Sequence, residues 1–383
     1  MAKLKDIGVI ITGNTPKTSD PKNYETTDIP FIKPSDISDD AISYLHNSEF
    51  YISEYAREKS RIVPVDSILF TCIGIIGKIA VNKVECAFNQ QINAIIPDKS
   101  KCLTDYLVYA LQSKKRLLQE TANAPVVPIL NKTQFSEIEI ELPSLEQQEK
   151  ISVQLNKIND LISQRNLQLS KLDELVKSRF IELFGTIHDN KFGYEIKTLQ
   201  DVCEQIKDGT HQTPTYTDDT VNGYKFLSSK DVTTGIIDWN HLKYIPAELH
   251  KELYARIAPR KGDILLAKNG TTGIAAVVDR DEVFDIYVSL ALLRPIEINS
   301  VYLWVAINSL ETKQQFDSSL KGIGVPNLHL GEIKKARIIV PPIEEQTKFA
   351  TFVEQTDKSK LAVQQSLEKL ETLKKSLMQQ YFG

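Results

Sequence analysis

Leu142-Pro143-Ser144-Leu145-Glu146-Gln147-Gln148-Glu149-Lys150-Ile151 returns later in the chain as Val340-Pro341-Pro342-Ile343-Glu344-Glu345-Gln346-Thr347-Lys348-Phe349. This pair decides the architecture, because each copy opens a long segment with helical periodicity. From Ser144 to Phe184 there is neither Pro nor Gly. Leu155, Ile162, Leu169, Val176 and Leu183 recur every seven residues, and Ile151, Ile158 and Leu172 fill the second core position, interrupted by Arg165 and Arg179. Such a stripe is coiled-coil-like. Ser144 with Gln147 forms a capping box, and Gly185 stands at the C-terminal cap. About 41 residues rising roughly 1.5 Å each make a rod of about 60 Å.

The second copy keeps the frame with Phe349, Val353, Val363, Leu367, Leu370, Leu377 and Tyr381, but Thr356, Lys360 and Lys374 break it. Neither seam suffices alone. Either each helix packs on its own globular domain, or the two helices pack on each other, antiparallel about a pseudo-two-fold axis. The second arrangement is the expectation. It makes Leu155, Ile162, Leu169, Leu172 and Val176, with Val353, Val363, Leu367, Leu370 and Leu377, the helix–helix and partner-docking positions.

Outward from the helices the repeat persists. Val127–Gly185 aligns with Val325–Gly383 without a gap, and identical pairs include Pro128/Pro326, Leu130/Leu328, Gln148/Gln346, Leu169/Leu367, Leu172/Leu370 and Phe184/Phe382. Upstream, Phe31-Ile32 with Asp36-Ile37 answers Phe226-Leu227 with Asp231-Val232, and Gly74-x-x-Gly77 answers Gly270-x-x-Gly273. The chain is a tandem duplication. Between the helices, short β-branched runs alternate with turn residues, as in Ile68–Thr71 and Ile264–Ala267. Helices are predicted over Thr104–Gln119 and Val301–Phe316. The fold class is therefore α+β (mixed α/β), with sheet-rich domains over 1–142 and 187–340 alternating with long helices over 143–186 and 341–383.

Length and composition agree with two globular domains: 383 residues, 42% hydrophobic and 25% charged. The amino terminus is charged at once and lacks a secretory signal, and the longest apolar run, Val301–Ile307, is far below the roughly 20 residues that cross a bilayer. A cytoplasmic protein without membrane contact is expected, with Cys72, Cys86, Cys102 and Cys203 as free thiols.

Catalytic motifs fail one by one. Gly77-Lys78 follows Cys72 where a Walker A loop needs Gly, and Ile79 stands where it needs Ser or Thr. Pro341-Pro342-Ile343-Glu344 is not the loop of an amino methyltransferase. Asp39-Asp40 and Asp218-Asp219 read as solvated loop acids, and the six histidines show no ligand spacing. Asn269-Gly270-Thr271 is a chance sequon.

The paired glycine turns are more informative. Each follows one apolar strand and precedes another, yet the tips differ: Cys72-Ile73-Gly-Ile75-Ile76-Gly-Lys78 against Lys268-Asn269-Gly-Thr271-Thr272-Gly-Ile274. A tight hairpin is one reading; a constant scaffold with a varied tip, suited to recognition, is the other. Phe31–Ile37 and Phe226–Val232 likewise keep an apolar frame and exchange polar positions. Basic residues (Lys17, Lys22 and Lys33; Lys251, Arg256, Arg260, Lys261 and Lys268) are ordinary surface or phosphate contacts.

The repeated helix starts, the Val127-Pro-x-Leu130 and Val325-Pro-x-Leu328 marks and the two Phe-Gly ends together resemble the specificity subunit of Type I restriction-modification enzymes over essentially the whole chain. The resemblance implies a non-catalytic reader of double-stranded DNA, with two target-recognition domains that each read half of a split site. It further implies that the paired helices set the gap and dock two methyltransferase subunits, joined by restriction subunits. S-adenosylmethionine, ATP and Mg²⁺ would then belong to those partners, and no cofactor to this chain. Candidate DNA contacts are Lys17, Lys33, Ser35, Gly74, Gly77 and Lys78 in the first copy. In the second they are His211, Ser228, Ser229, Lys230, Lys268, Asn269, Gly270, Thr271, Thr272 and Gly273. An autonomous DNA-modifying enzyme and a bilobed protein- or glycan-binding adaptor remain the alternatives.

Net charge pulls the other way. The total is −4, with 16 basic against 18 acidic residues in 1–142 and 18 against 20 in 187–340. Positive charge must then be confined to one face of each domain, and the isolated chain should bind DNA poorly until its partners close around the duplex.

Overall fold

A computed structural model describes residues 1–39, 41–121, 128–320 and 326–383. Val127 and Val325, which open the gap-free repeat, and the loop acid Asp40 lie outside the described residues. The chain forms two compact units, residues 1–165 with 366–383 (unit 1) and residues 166–365 (unit 2). The division falls inside both long helices, Leu145–Phe184 and Ile343–Phe382. Each unit therefore owns the start of one long helix and the end of the other.

In unit 1 the main sheet has the order Gly8–Thr12, Ile92–Pro97, Ile68–Thr71, Ile79–Asn82, Ser43–Leu45. Its strand Ile68–Thr71 is buried throughout, which is why it reads as an unbroken apolar run. Successive side chains point to opposite faces. Ile68 and Phe70 join Leu107 and Leu111 of the helix Thr104–Thr121, while Leu69 joins Ile32, Val63 and Phe88 of a second sheet. Unit 2 repeats this layering. Its main sheet runs Cys203–Asp208, Leu290–Pro295, Ile264–Ala267, Ala275–Val277. Ile264 and Leu266 face the helices, and Leu265 faces Leu227, Phe284 and Ile286. In both units the second sheet contains a parallel pair in matching register, Phe31 beside Ala87 and Phe226 beside Asp285.

One expectation needs correction. The single helix predicted over Val301–Phe316 is two helices, Ser300–Ile307 and Leu310–Ser319. The Asn308 amide donates to the carbonyls of Ala275 and Trp304 at 3.0 and 3.1 Å, and the Ser309 hydroxyl accepts from Thr312 N at 3.3 Å, restarting the helix. Local side-chain bonds of this kind compete with the helical ladder.

The repeated helix starts owe their identical glutamine to burial. Gln148 and Gln346 are at most 1% exposed, and a buried amide must find partners. Gln148 Nε2 donates to the carbonyls of Lys101 and Pro143 while its Oε1 accepts from Leu103 N. Gln346 repeats this with Pro341 O and Asn299 N. Ser144 and Gln147 exchange the expected capping bonds at 3.4 Å.

The two helix readings both hold, each in part. Within unit 2 the helices run antiparallel, since Phe180 meets Phe349 while Asp173, one turn and more earlier, pairs with Lys360 at 2.6 Å. Within unit 1, Tyr381 Oη donates to Gln154 Oε1 at 2.6 Å. Yet the same helices also enter the domain cores. Ile151 and Phe382 pack in unit 1. Val176, Phe180, Phe184, Phe349 and Val353 pack in unit 2, where Phe184 is fully buried against Tyr194, Tyr302 and Phe349. Truncating such a ring costs about 3–5 kcal/mol. Leu155, Val176, Val353 and Val363 are buried, and Ile162, Leu169, Leu172, Leu367, Leu370 and Leu377 are half-buried. The polar interruption at Lys360 is satisfied by Asp173 and Asp357.

Candidate nucleic-acid interface

Within each unit most of the candidate contact residues gather at one end of the main sheet. In unit 2 the chain leaves strand Cys203–Asp208 into Gly209-Thr210-His211, and leaves strand Ile264–Ala267 into the Lys268–Gly273 tip. The turn before strand Leu290–Pro295 joins them: Lys268 N donates to Ser289 O at 2.9 Å, and Ser229 N donates to Ser289 Oγ at 2.9 Å. The Ser228–Asp231 turn, the glycine tip and His211 thus form one cluster. Ser228 and Ser229 are half-buried, Lys230 is exposed, and Thr271 stands exposed at the tip beside half-buried Thr272. Gly270 and Gly273 have φ of +76° and +79°, which is why the tip carries glycine at both places.

The centre of this cluster is Asp208, which the sequence reading passed over. Lys268 Nζ lies 3.2 Å from its carboxylate, His211 Nε2 3.1 Å and Arg256 Nη2 3.4 Å. Lys268 is 6% exposed, so its ammonium is committed inside the domain, while His211 and Arg256 remain open to solvent. One carboxylate facing a lysine and an arginine leaves the cluster with surplus positive charge. Asn269 bridges Asn327, and the Oδ1 atoms of both are buried without a partner among the described residues.

Unit 1 builds the same end with other side chains. Strand Gly8–Thr12 continues into Gly13-Asn14-Thr15, strand Ile68–Thr71 into the Cys72–Lys78 tip, and the joining turn is Asn89-Gln90-Gln91, with Cys72 N donating to Gln91 O at 2.7 Å. Lys78 Nζ donates to the carbonyls of Pro34 and Ile37, which ties the glycine tip at Gly74 and Gly77 to the turn holding Lys33 and exposed Ser35. Lys33 lies 3.0 Å from the Phe50 ring centroid. Among the described residues no hydrogen bond or ion pair brings Lys17 to this end; its carbonyl accepts from Asn23, and its side chain is exposed.

Two glycines missed in the sequence make both ends possible. A Cβ on Gly13 would fall 2.2 Å from Asn89 O, and one on Gly209 would fall 2.0 Å from Ile286 O. The signal was a Gly a few residues before the loop proline in each copy, Gly13 three before Pro16 and Gly209 five before Pro214, too weak to stand out. The Pro128-x-Leu130 and Pro326-x-Leu328 marks also acquire a role. Gly74 N donates to Pro128 O and Leu130 N to Cys72 O; Gly270 N donates to Pro326 O and Leu328 N to Lys268 O. These marks clamp the tips.

Among the described residues no three His, Cys, Asp or Glu side chains are grouped to hold a metal ion. None of the described helices is long and apolar enough to cross a membrane. All four cysteines are buried and free, and burial pushes each thiol up to about 12, far from the reactive range.

The family model for the Type I restriction modification DNA specificity domain matches residues 1–171 and again 192–373. The chain belongs to this family. It is a Type I restriction-modification specificity subunit, and DNA recognition is the family's role. The MjaIX specificity subunit of Methanocaldococcus jannaschii is 27% identical, over 92% of this chain and 85% of the relative. The MjaVIII subunit of the same organism is 26% identical, over 74% and 70%. The crystal structure of the S subunit of the M. genitalium Type I system covers all of this chain and 95% of its own, with a TM-score of 0.60 at 14% identity, a likeness of fold.

Proposed function

We propose that the two sheet ends are the DNA-reading surfaces, each reading one half of a bipartite double-stranded site. The observation that carries this is the duplication itself: one backbone scaffold, used twice, carries Thr12 and Cys72 in unit 1 where it carries the ion pair of Asp208 and Lys268 in unit 2. A scaffold built to do one chemical step twice would keep its chemistry; a scaffold that reads two different half-sites changes it. The chain performs no catalysis in this reading. S-adenosylmethionine, ATP and Mg²⁺ belong to its methyltransferase and restriction partners, and the complex works in the cytoplasm of a bacterial or archaeal cell.

The long helices set the unread gap and dock two methyltransferase subunits. Their seam residues are buried or half-buried, which leaves a second set of apolar side chains for partners: Val153, Leu167, Leu175, Ile181, Leu361 and Leu373 are all exposed. Exposed apolar residues repeated along each helix are what a docking surface needs.

Co-expression with the methyltransferase subunit, followed by methylome sequencing, tests the reading. Adenine methylation at one bipartite motif is expected, and replacing residues 187–340 with the equivalent segment of a relative should change only one half. A motif altered on both sides, or none, would sink the two-reader model. Methylation by the purified chain alone would favour an autonomous enzyme, and DNA affinity without salt dependence an adaptor of another kind.

A further inference from the structure

The duplication allows the molecule to be compared with itself. A side chain kept in both units, at a place where the neighbouring polar residues have changed, answers either to the fold or to something the two half-sites share. Most kept residues at the sheet ends answer to the fold. Gly13 and Gly209 leave no room for a Cβ. Asp36 and Asp231 close capping boxes, accepting from Lys33 N at 2.8 Å and Ser228 N at 2.7 Å.

One kept residue has no such explanation. Arg61-Ile62-x-Pro64 in unit 1 is repeated as Arg256-Ile257-x-Pro259 in unit 2, and in both the arginine lies against the turn that carries the close-packed glycine. Arg61 N donates to Oδ1 of Asn14, the residue after Gly13, at 2.7 Å. Arg256 Nη1 donates to Gly209 O at 3.1 Å. Asp208 gives Arg256 an internal partner, but Thr12 stands in that place in unit 1. Arg61 is exposed and has no ion-pair partner among the described residues. An internal salt bridge therefore does not account for the arginine being present twice.

We infer that Arg61 and Arg256 are an equivalent pair of DNA phosphate contacts, one in each unit, gripping the backbone beside each half-site without reading its bases. This rests on the DNA-reading function proposed above. The sugar-phosphate backbone is the chemical feature that two different half-sites have in common, and phosphate contacts position a protein without carrying sequence information. A guanidinium suits it, since its planar fork matches phosphate oxygens and its charge persists at every working pH. In unit 2 the two internal acceptors occupy one donor on each terminal nitrogen, which leaves the remaining N–H groups for an outside anion.

The test uses the complex of this chain with its methyltransferase subunit and a duplex carrying the motif read from the wild-type methylome, titrated over a salt series. Arg61→Ala and Arg256→Ala should each weaken binding roughly tenfold at low salt. Each should also reduce the slope of log affinity against log salt by about 0.9 in magnitude, additively in the double variant. The methylated motif should be unchanged in both halves. Arg61→Lys, which keeps the charge, should retain most of the slope. Because Arg61 is exposed, its variants carry the test even if Arg256→Ala loosens the Asp208 cluster. Relaxation of one base in one half-motif would make the arginine a base reader and overturn the inference, as would an unchanged salt slope. A wild-type complex that neither binds DNA nor methylates a bipartite motif would instead remove the function on which the inference stands.

Discussion

The two sheet ends occupy the same backbone positions and share almost none of their chemistry. Where unit 2 pairs Asp208 with Lys268, unit 1 has Thr12 and Cys72, joined through Asn93: Thr12 Oγ1 donates to Asn93 Oδ1 at 2.6 Å, and Asn93 Nδ2 donates to Cys72 Sγ at 3.1 Å. Where Asn269 bridges Asn327, Ile73 bridges Ile129. Side chains have changed in matched sets while the main-chain bonds at Cys72 and Lys268 remained. Matched change is what burial demands, because a lone charged or polar partner left inside costs far more than the pair contributes. The scaffold is held by backbone bonds and glycine, so the side chains at its end are free to vary in sets.

The largest expected effect tests the shared part. Gly13→Ala and Gly209→Ala each drive a Cβ into a carbonyl oxygen at 2.2 and 2.0 Å, and relief requires moving a strand end. Each should cost about 4 kcal/mol in chemical unfolding and erase methylation specificity in its own half-motif. Tolerance of alanine at one of the two positions and not at the other would show that the ends are not built alike.

The next effect tests the part that differs. Lys268→Met leaves the nearly buried Asp208 facing only Arg256 and His211, and should destabilise unit 2 by about 3 kcal/mol. The double variant Asp208→Thr with Lys268→Cys imports the neutral arrangement of unit 1 and should lose less than Lys268→Met alone. If the double loss equals the sum of the singles, the two residues do not act as a set.

Periodicity made the long helices and the duplication legible in the sequence, and glycine marked the tips, because these features are local. The site was legible only in outline. Ser228, Ser229, Lys230 and Lys268–Gly273 do meet, but the residue that organises them, Asp208, lies 60 positions before Lys268 and was one acid among many. Lys78 and Lys268 stood among the candidate DNA contacts, and the engagement of their ammonium groups by carbonyls or a carboxylate is a tertiary fact that no spacing reveals. Arg61 went unnoticed for the converse reason: the four-residue repeat that pairs it with Arg256 is short, and it gains meaning only from the equivalence of the two turns that the arginines contact. The break at Asn308-Ser309 was hidden because each residue alone is tolerated within a helix.

The smallest expected effect concerns the second sheets, where Asp285 occupies the position of Ala87. Asp285 is 2% exposed, its Oδ2 lies 2.7 Å from His250 Nδ1, and its Oδ1 is buried without a partner among the described residues. His250 is itself stacked on Tyr224 at 3.6 Å. Burial pushes the Asp285 carboxyl up to about 6, against the opposing pull of His250. An acid whose folded value is raised binds its proton more tightly when folded. Its stabilising contribution is therefore full below the unfolded value near 4 and is lost as pH rises through about 6. Between pH 5 and pH 7.5 unit 2 should lose about 1 kcal/mol from this group. Hydrogen exchange, corrected for the intrinsic rate, should show falling protection of Phe284–Ile286 over that interval and none of this loss at Cys86–Phe88. Asp285→Asn, which cannot ionise, should flatten the response in unit 2; an undiminished response would assign it to another group and remove the last of the charged-versus-neutral contrasts between the units.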